Sequence, residues 1–245
     1  MIYFIDGSRE AFLTAFLRAF YDENVLITSS QCQLTLGQET IFINADPDIA
    51  QRVLKRFVQL DKKCIKELDY LLRSGDKRRE QIAFGYFMEI AKNGCPVRNM
   101  LANPAVLAAE ECIRKISAEL DRMHGFVRFM ESASGALYAP ISPDNDISDL
   151  LLPHFCARLP EYPFVIHDVP RHKAAIYDGK NRFCAPLDHA EIVLSADEEA
   201  WKTLWQRYYR AVNIPSRERL KQMRGYLPVR YWKFMPEFQD SEQSI

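Results

Sequence analysis

One change of pattern constrains this chain more than any other feature. From Pro47 to Lys92 and again from Ala105 to Arg122 apolar residues recur every three or four positions, and beyond Phe126 they fall into short β-prone runs separated by turn-forming residues. The first pattern specifies helices with one buried face, and the second specifies strands. A chain that carries both in succession is expected to be α+β, with a helix-rich N-terminal part and then an antiparallel sheet covered by helices.

The elements follow from local chemistry. Residues 2–5 are β-prone, Gly7-Ser8 supplies a turn and an N-cap, and Phe12, Phe16, Ala19 and Phe20 form the stripe of a first helix. Two more β-rich runs, Val25 to Thr28 and Thr40 to Asn44, lead to Asp46-Pro47, a cap followed by a proline at the first helical position. The apolar series Ile49, Val53, Phe57, Leu60, Cys64 and Leu68 predicts one continuous helix that Gly75 ends. A second helix covers about Asp76 to Lys92 and stops at Gly94, and a third runs from about Ala105 to Arg122, with Gly125 expected to break it. The stretch from Asn93 to Pro104 has no strong period, so the expected division is residues 1–100 and 101–245.

Beyond Gly125 the pattern reads hairpin, helix, hairpin. Phe126 to Glu131 and Ala136 to Ile141 form the first hairpin, Ile147 to Arg158 the helix, and Phe164 to His167 with Lys173 to Tyr177 the second, followed by a strand at Arg182 to Ala185. Ser195 and Glu198 have capping-box spacing and open a helix bearing Trp201, Leu204, Trp205 and Tyr208 on one face.

Charge gives no global direction, because 33 acidic and 32 basic residues leave a net charge of −1. The N-terminus meets Asp6 too soon for a signal peptide, and no apolar run reaches the ~18 residues of a membrane span, so a cytoplasmic protein without membrane contact is expected. The cysteines lack the close pairs that zinc and iron–sulfur sites use, and are read as reduced, mostly core thiols. Neither a metal nor a cofactor is expected. The phosphate loop, the dinucleotide fingerprint, the Gly-x-Ser-x-Gly elbow, the His-Glu-x-x-His pattern and the paired cysteines of zinc deaminases are all missing.

Local charge is more informative. Residues 207–233 contain Arg207, Arg210, Arg217, Arg219, Lys221, Arg224, Arg230 and Lys233 against Glu218 alone, a local charge of +7 that leaves −8 for the rest. Tyr208, Tyr209, Tyr226, Tyr231 and Trp232 are interleaved with them, a combination suited to phosphate neutralisation beside base stacking. The competing reading is a solvated basic tail whose aromatics pack on the domain. A second candidate is a histidine–aspartate group, with His154 on the predicted helix and His167-Asp168 at the second hairpin, where a carboxylate-oriented histidine would act as general base. Adjacent strand residues point to opposite faces, however, so His167 and Asp168 need not share a site.

Three blocks, Ile5-Asp6-Gly7-Ser8 with Phe12-Leu13-Thr14-Ala15, Gly125-Phe126-Val127-Arg128-Phe129, and Pro228-x-Arg230-Tyr231-Trp232-Lys233, occur in an order that resembles a bacterial family of DNA repair and DNA metabolism proteins. Tyr138-Ala139-Pro140-Ile141 with Pro143-Asp144, Pro153-His154-Phe155 with Arg158, Ile166-His167-Asp168 and Tyr177-Asp178-Gly179 extend the likeness over nearly the whole chain. The resemblance implies an accessory role beside a radical SAM DNA repair protein, in a domain that other chains fuse to a uracil-DNA glycosylase-like module. No catalytic residue comes with it. The chain also departs from the pattern, with Asp121 where a histidine is expected after Glu119, and no histidine near Asn145, where one is often found.

Three expectations about function result. The first is an accessory protein that contacts DNA through Arg128, Arg207, Arg210, Arg224, Arg230, Tyr231, Trp232 and Lys233 and works with the radical SAM partner. The second is a nucleic-acid-processing enzyme using His154, His167 and Asp168, with Arg128 or Arg158 holding a phosphate. The third is a protein-interaction module anchored by Tyr231 and Trp232.

Overall fold

The computed structural model describes residues 1–22, 24–30, 37, 39–214 and 219–238. The chain divides into two compact units, Met1–Ser117 and Ala118–Ile245.

In the first unit, β1 (Ile2–Phe4) lies between β2 (Leu26–Thr28) and β3 (Thr40–Phe42), parallel to both. Parallel neighbours need a crossover, and α1 (Arg9–Ala19) supplies the first. Gly7 turns the chain at φ 84°, and the Ser8 hydroxyl accepts the Ala11 amide at 3.1 Å, satisfying one of the otherwise unpaired first-turn donors. Asp46 caps α2 (Pro47–Leu60) in the same way through Asp48 and Ile49.

The long helix expected from Pro47 to Gly75 is two helices, α2 and α3 (Cys64–Arg73). Asp61 takes an extended conformation between them, and its carboxylate accepts the Lys63 amide and a charged bond from Arg98. Glu67 completes this node, receiving Arg98 Nε at 3.0 Å and the Tyr86 hydroxyl at 3.0 Å. Apolar spacing continues through the break because both helices face one core, which is why periodicity alone joined them. The following helix, α4 (Arg79–Asn93), ends as expected at Gly94, left-handed at φ 66°.

That core is aromatic. Phe16 packs edge-on against Phe20, Phe57, Phe84 and Phe87 at centroid distances of 5.9, 5.2, 5.6 and 6.4 Å. Such pairs add about 0.5–1.5 kcal/mol each beyond their buried area.

Gly125 does not stop α5 (Pro104–Phe126); Val127 still donates to the Met123 carbonyl at 3.2 Å. An interior glycine costs a helix about 1 kcal/mol relative to alanine, which a long helix tolerates. The second unit is built on a five-stranded sheet in the order β4 (Met130–Glu131), β5 (Leu137–Ile141), β6 (Phe164–Asp168), β7 (Lys173–Tyr177), β8 (Arg182–Pro186). The fold is α+β as expected, but the sheet is only partly antiparallel. Between β5 and β6 the chain passes through α6 (Ser148–Arg158), so the two strands run parallel, with Pro140 opposite His167. A helix between two hairpins carries the chain back to the starting end of the sheet, which makes the inner strands parallel.

The capping box at Ser195 does not form. At the start of α7 (Glu198–Val212), Glu198 accepts the Glu131 amide at 2.8 Å instead, and the Ser195 hydroxyl is buried without a partner. The chain continues through α8 (Leu220–Tyr226) into 3-10 turns at Val229–Phe234 and Pro236–Phe238. No described helix is long and apolar enough to cross a membrane.

Candidate nucleic-acid interface

His167 and Asp168 stand on opposite faces of β6. His167 is 3% exposed, and both its ring nitrogens are occupied, Nε2 at 3.0 Å from the Leu187 carbonyl and Nδ1 at 2.7 Å from the Tyr138 hydroxyl. A carbonyl only accepts, so Nε2 carries the proton and Nδ1 accepts from Tyr138. Burial holds the imidazole below its ordinary value of 6.5, in keeping with this neutral form.

Asp168 is fully buried, and Arg171 Nη1 reaches one of its oxygens at 3.0 Å. The other oxygen has no partner, and burial pushes the carboxyl above its usual range despite Arg171. Arg171 also binds the carbonyls of Pro143 and Asp144 and so ties the loop before α6 to the end of β6. His154, on α6, stacks against His124 at 4.2 Å and is joined to neither His167 nor Asp168 by a hydrogen bond or ring contact. The partners of the three residues thus differ, with His154 on His124, His167 between Leu187 and Tyr138, and Asp168 on Arg171. No group of three or more His, Cys, Asp or Glu side chains among the described residues could hold a metal ion.

The basic C-terminal segment separates into a packed set and an exposed one. Arg128 makes a two-pronged ion pair with Glu237, at 3.2 and 2.7 Å, and lies 5.6 Å from the Trp205 ring. Arg230 bonds Asp144 at 2.5 Å and Glu119 at 3.3 Å, so carboxylates already neutralise it. Tyr231 and Trp232 are 3% and 6% exposed, and Trp232 stacks on Phe238 at 4.8 Å. Burial closes their rings to bases and to a partner. Arg207, Arg210, Arg224 and Lys233 are exposed, as are Arg219 and Lys221, and Arg224 lies 6.0 Å from the Trp232 ring. Arg217 and Glu218 lie outside the described residues.

Sequence reasoning missed the residue that organises this region. Glu119, on α5, accepts the amides of Asp144 and Asn145, the Asn145 side chain, Arg230 and the Tyr231 hydroxyl. Burial works against its charge, but these donors outweigh it and hold the carboxyl below its ordinary range. Asn145 is thus a buried donor to Glu119. The available signal was an acid at a position of α5 where the apolar period calls for a buried residue.

The model of a family described as a domain of unknown function, DUF4130, matches residues 77–237. The chain belongs to the DUF4130 family. No curated protein and no solved structure matches it.

The DUF4130 match includes all of α7, whose large apolar residues stand open. Trp201, Leu204, Trp205, Tyr208 and Val212 are 60, 56, 39, 55 and 53% exposed, and no residue of the helix is buried. Its inner side is tethered by polar bonds, Trp205 Nε1 to Glu237 at 3.0 Å and Gln206 to the Pro236 carbonyl at 2.9 Å, with Tyr209 edge-on to Phe238. In this DUF4130 chain the stripe spaced as a core face carries instead the open Trp201 indole and Tyr208 phenol, with Arg207 next to Tyr208 in sequence. Such a surface can take flat π-systems and phosphate together.

Proposed function

We propose that this chain is an accessory protein of DNA repair or DNA metabolism that holds unpaired DNA on the exposed face of α7. The observation that carries this reading is the exposure of Trp201 and Tyr208 on either side of Leu204 with Arg207 one residue from Tyr208. Base stacking needs a bare aromatic face, and the same contact gains from a cation placed for the adjoining phosphate. Arg210, Arg219, Lys221, Arg224 and Lys233 supply further exposed charge within the same unit. The resemblance to DNA repair proteins adds the biological setting and a radical SAM protein as the companion that would do the chemistry. An occupied His167 and an Asp168 on the opposite face of the sheet support an accessory role over a catalytic one.

Titrating labelled single- and double-stranded DNA with the protein across a salt series tests the reading. Tighter single-strand binding is expected, with affinity falling as salt rises, and each phosphate contact removed in Arg207→Ala or Arg224→Ala should lower the log–log slope by roughly 0.7. Absence of binding at low salt, or equal binding by Trp201→Ala, would reject it.

Leu204 and Val212 favour a second reading, because neither stacks on a base and both belong to the same exposed stripe. On that reading α7 is the anchor for a partner protein, and Leu204→Ala, which adds no charge, would weaken partner capture while Trp201→Ala would leave DNA affinity unchanged.

A further inference from the structure

A cleft of about 500 Å³ opens in the first unit, over the aromatic core around Phe16 and Phe57. Its walls come from three helices, with Phe16, Leu17 and Phe20 on α1, Val53, Phe57 and Leu60 on α2, and Ala91 near the end of α4. Phe16 and Phe57, 5.2 Å apart and each 3% exposed, close its inner end. Volume and lining match small-molecule sites, which are mostly apolar with a few polar groups that orient the ligand.

Those polar groups have one sign. Arg52 and Arg56 line the cleft, and among the described residues no aspartate or glutamate does. They stand four residues apart on α2, so their side chains rise from the same face of the helix one turn from each other. Both are exposed, and among the described residues neither is held by a carboxylate. Two unneutralised guanidiniums beside an aromatic floor complement a ligand with an anionic head and an apolar body, since arginine matches a carboxylate with paired donors.

We propose that this cleft binds a small amphiphilic carboxylate of the medium-chain fatty-acid class, its chain against Phe16 and Phe57 and its head on Arg52 and Arg56. The apolar part sets affinity through chain length, and the arginines set head-group choice.

Calorimetric titration of the full chain with hexanoate, octanoate and decanoate, and with octylammonium as the oppositely charged control, tests this directly. One carboxylate should bind per chain, tightening roughly three- to fourfold per methylene while the chain remains inside the cleft. The double variant Arg52→Gln, Arg56→Gln changes only exposed side chains and should lose at least tenfold in decanoate affinity while keeping its unfolding midpoint. Leu17→Trp, at a half-exposed position, should obstruct the cleft and weaken every carboxylate. Octylammonium binding as tightly as octanoate, affinity independent of chain length, or unchanged binding by both variants would each overturn the assignment.

Discussion

Tyr231 donates its hydroxyl to Glu119 across 112 residues of sequence, and the bond fastens the C-terminal 3-10 turn to α5. Because Glu119 also receives the amides of Asp144 and Asn145, one carboxylate joins α5, the loop before α6 and the C-terminal segment. Tyr231→Phe should cost about 1–3 kcal/mol, the price of leaving a buried acceptor short of a donor. Glu119 has its folded pKa depressed, so its stabilisation is present above the ordinary value of 4.5 and is lost as pH falls through the lower folded value. Urea midpoints of wild type and Glu119→Gln should converge in that acid range, and a constant difference at all pH values would contradict this.

Asp168 behaves with the opposite sign. Its folded pKa is raised above 3.8, so the folded state holds its proton more tightly than the unfolded one, and the related stability is full below 3.8 and declines as pH rises through the folded value. Asp168→Asn should therefore gain on wild type as the pH is taken from 3.5 to 7. Arg171→Ala, which leaves the ionised carboxylate without its ion pair, should cost roughly 1–3 kcal/mol at pH 7 and less in acid. Chemical denaturation across this range measures both.

His124 and His167 both have folded values below 6.5, His124 through burial and then the neighbouring His154, and His167 through burial. A depressed histidine stabilises the fold above 6.5 and stops doing so as pH falls. Their imidazole resonances should titrate below 6.5 in nuclear magnetic resonance spectra. A His167 that titrates at or above 6.5 would refute the assignment of a neutral ring held by Leu187 and Tyr138.

Two tryptophans should respond differently. Trp201→Ala changes a side chain that is 60% exposed and should leave the melting temperature nearly unchanged while weakening single-strand binding by about 1–3 kcal/mol. Trp232→Ala removes a buried ring stacked on Phe238 and should cost about 3–5 kcal/mol of stability. Thermal unfolding beside DNA titration separates these outcomes.

Two serines separate a formed cap from an unformed one. Ser8→Ala should cost about 0.5–2 kcal/mol, because Ala11 loses its acceptor. Ser195→Ala should cost nothing or stabilise, because the hydroxyl it removes is buried with no partner.

The sequence by itself determined most of the elements, because the chemistry that starts and stops them is local. Asp46-Pro47 opened α2 and Gly94 closed α4 where their residue types required it. Tertiary structure decided what lies between distant residues. Arg98 reaches back to Asp61 and Glu67 at the break between α2 and α3, and α6 sets β6 parallel to β5. The same holds for the candidate site. Arginines and aromatics were legible as a class, but Tyr231 and Arg230 are bound to Glu119 while Trp201 and Tyr208 remain open. A period of 3.6 marks one face of a helix as apolar without saying whether anything covers it. Coverage depends on contacts between residues far apart in the chain, and these form only when the chain folds.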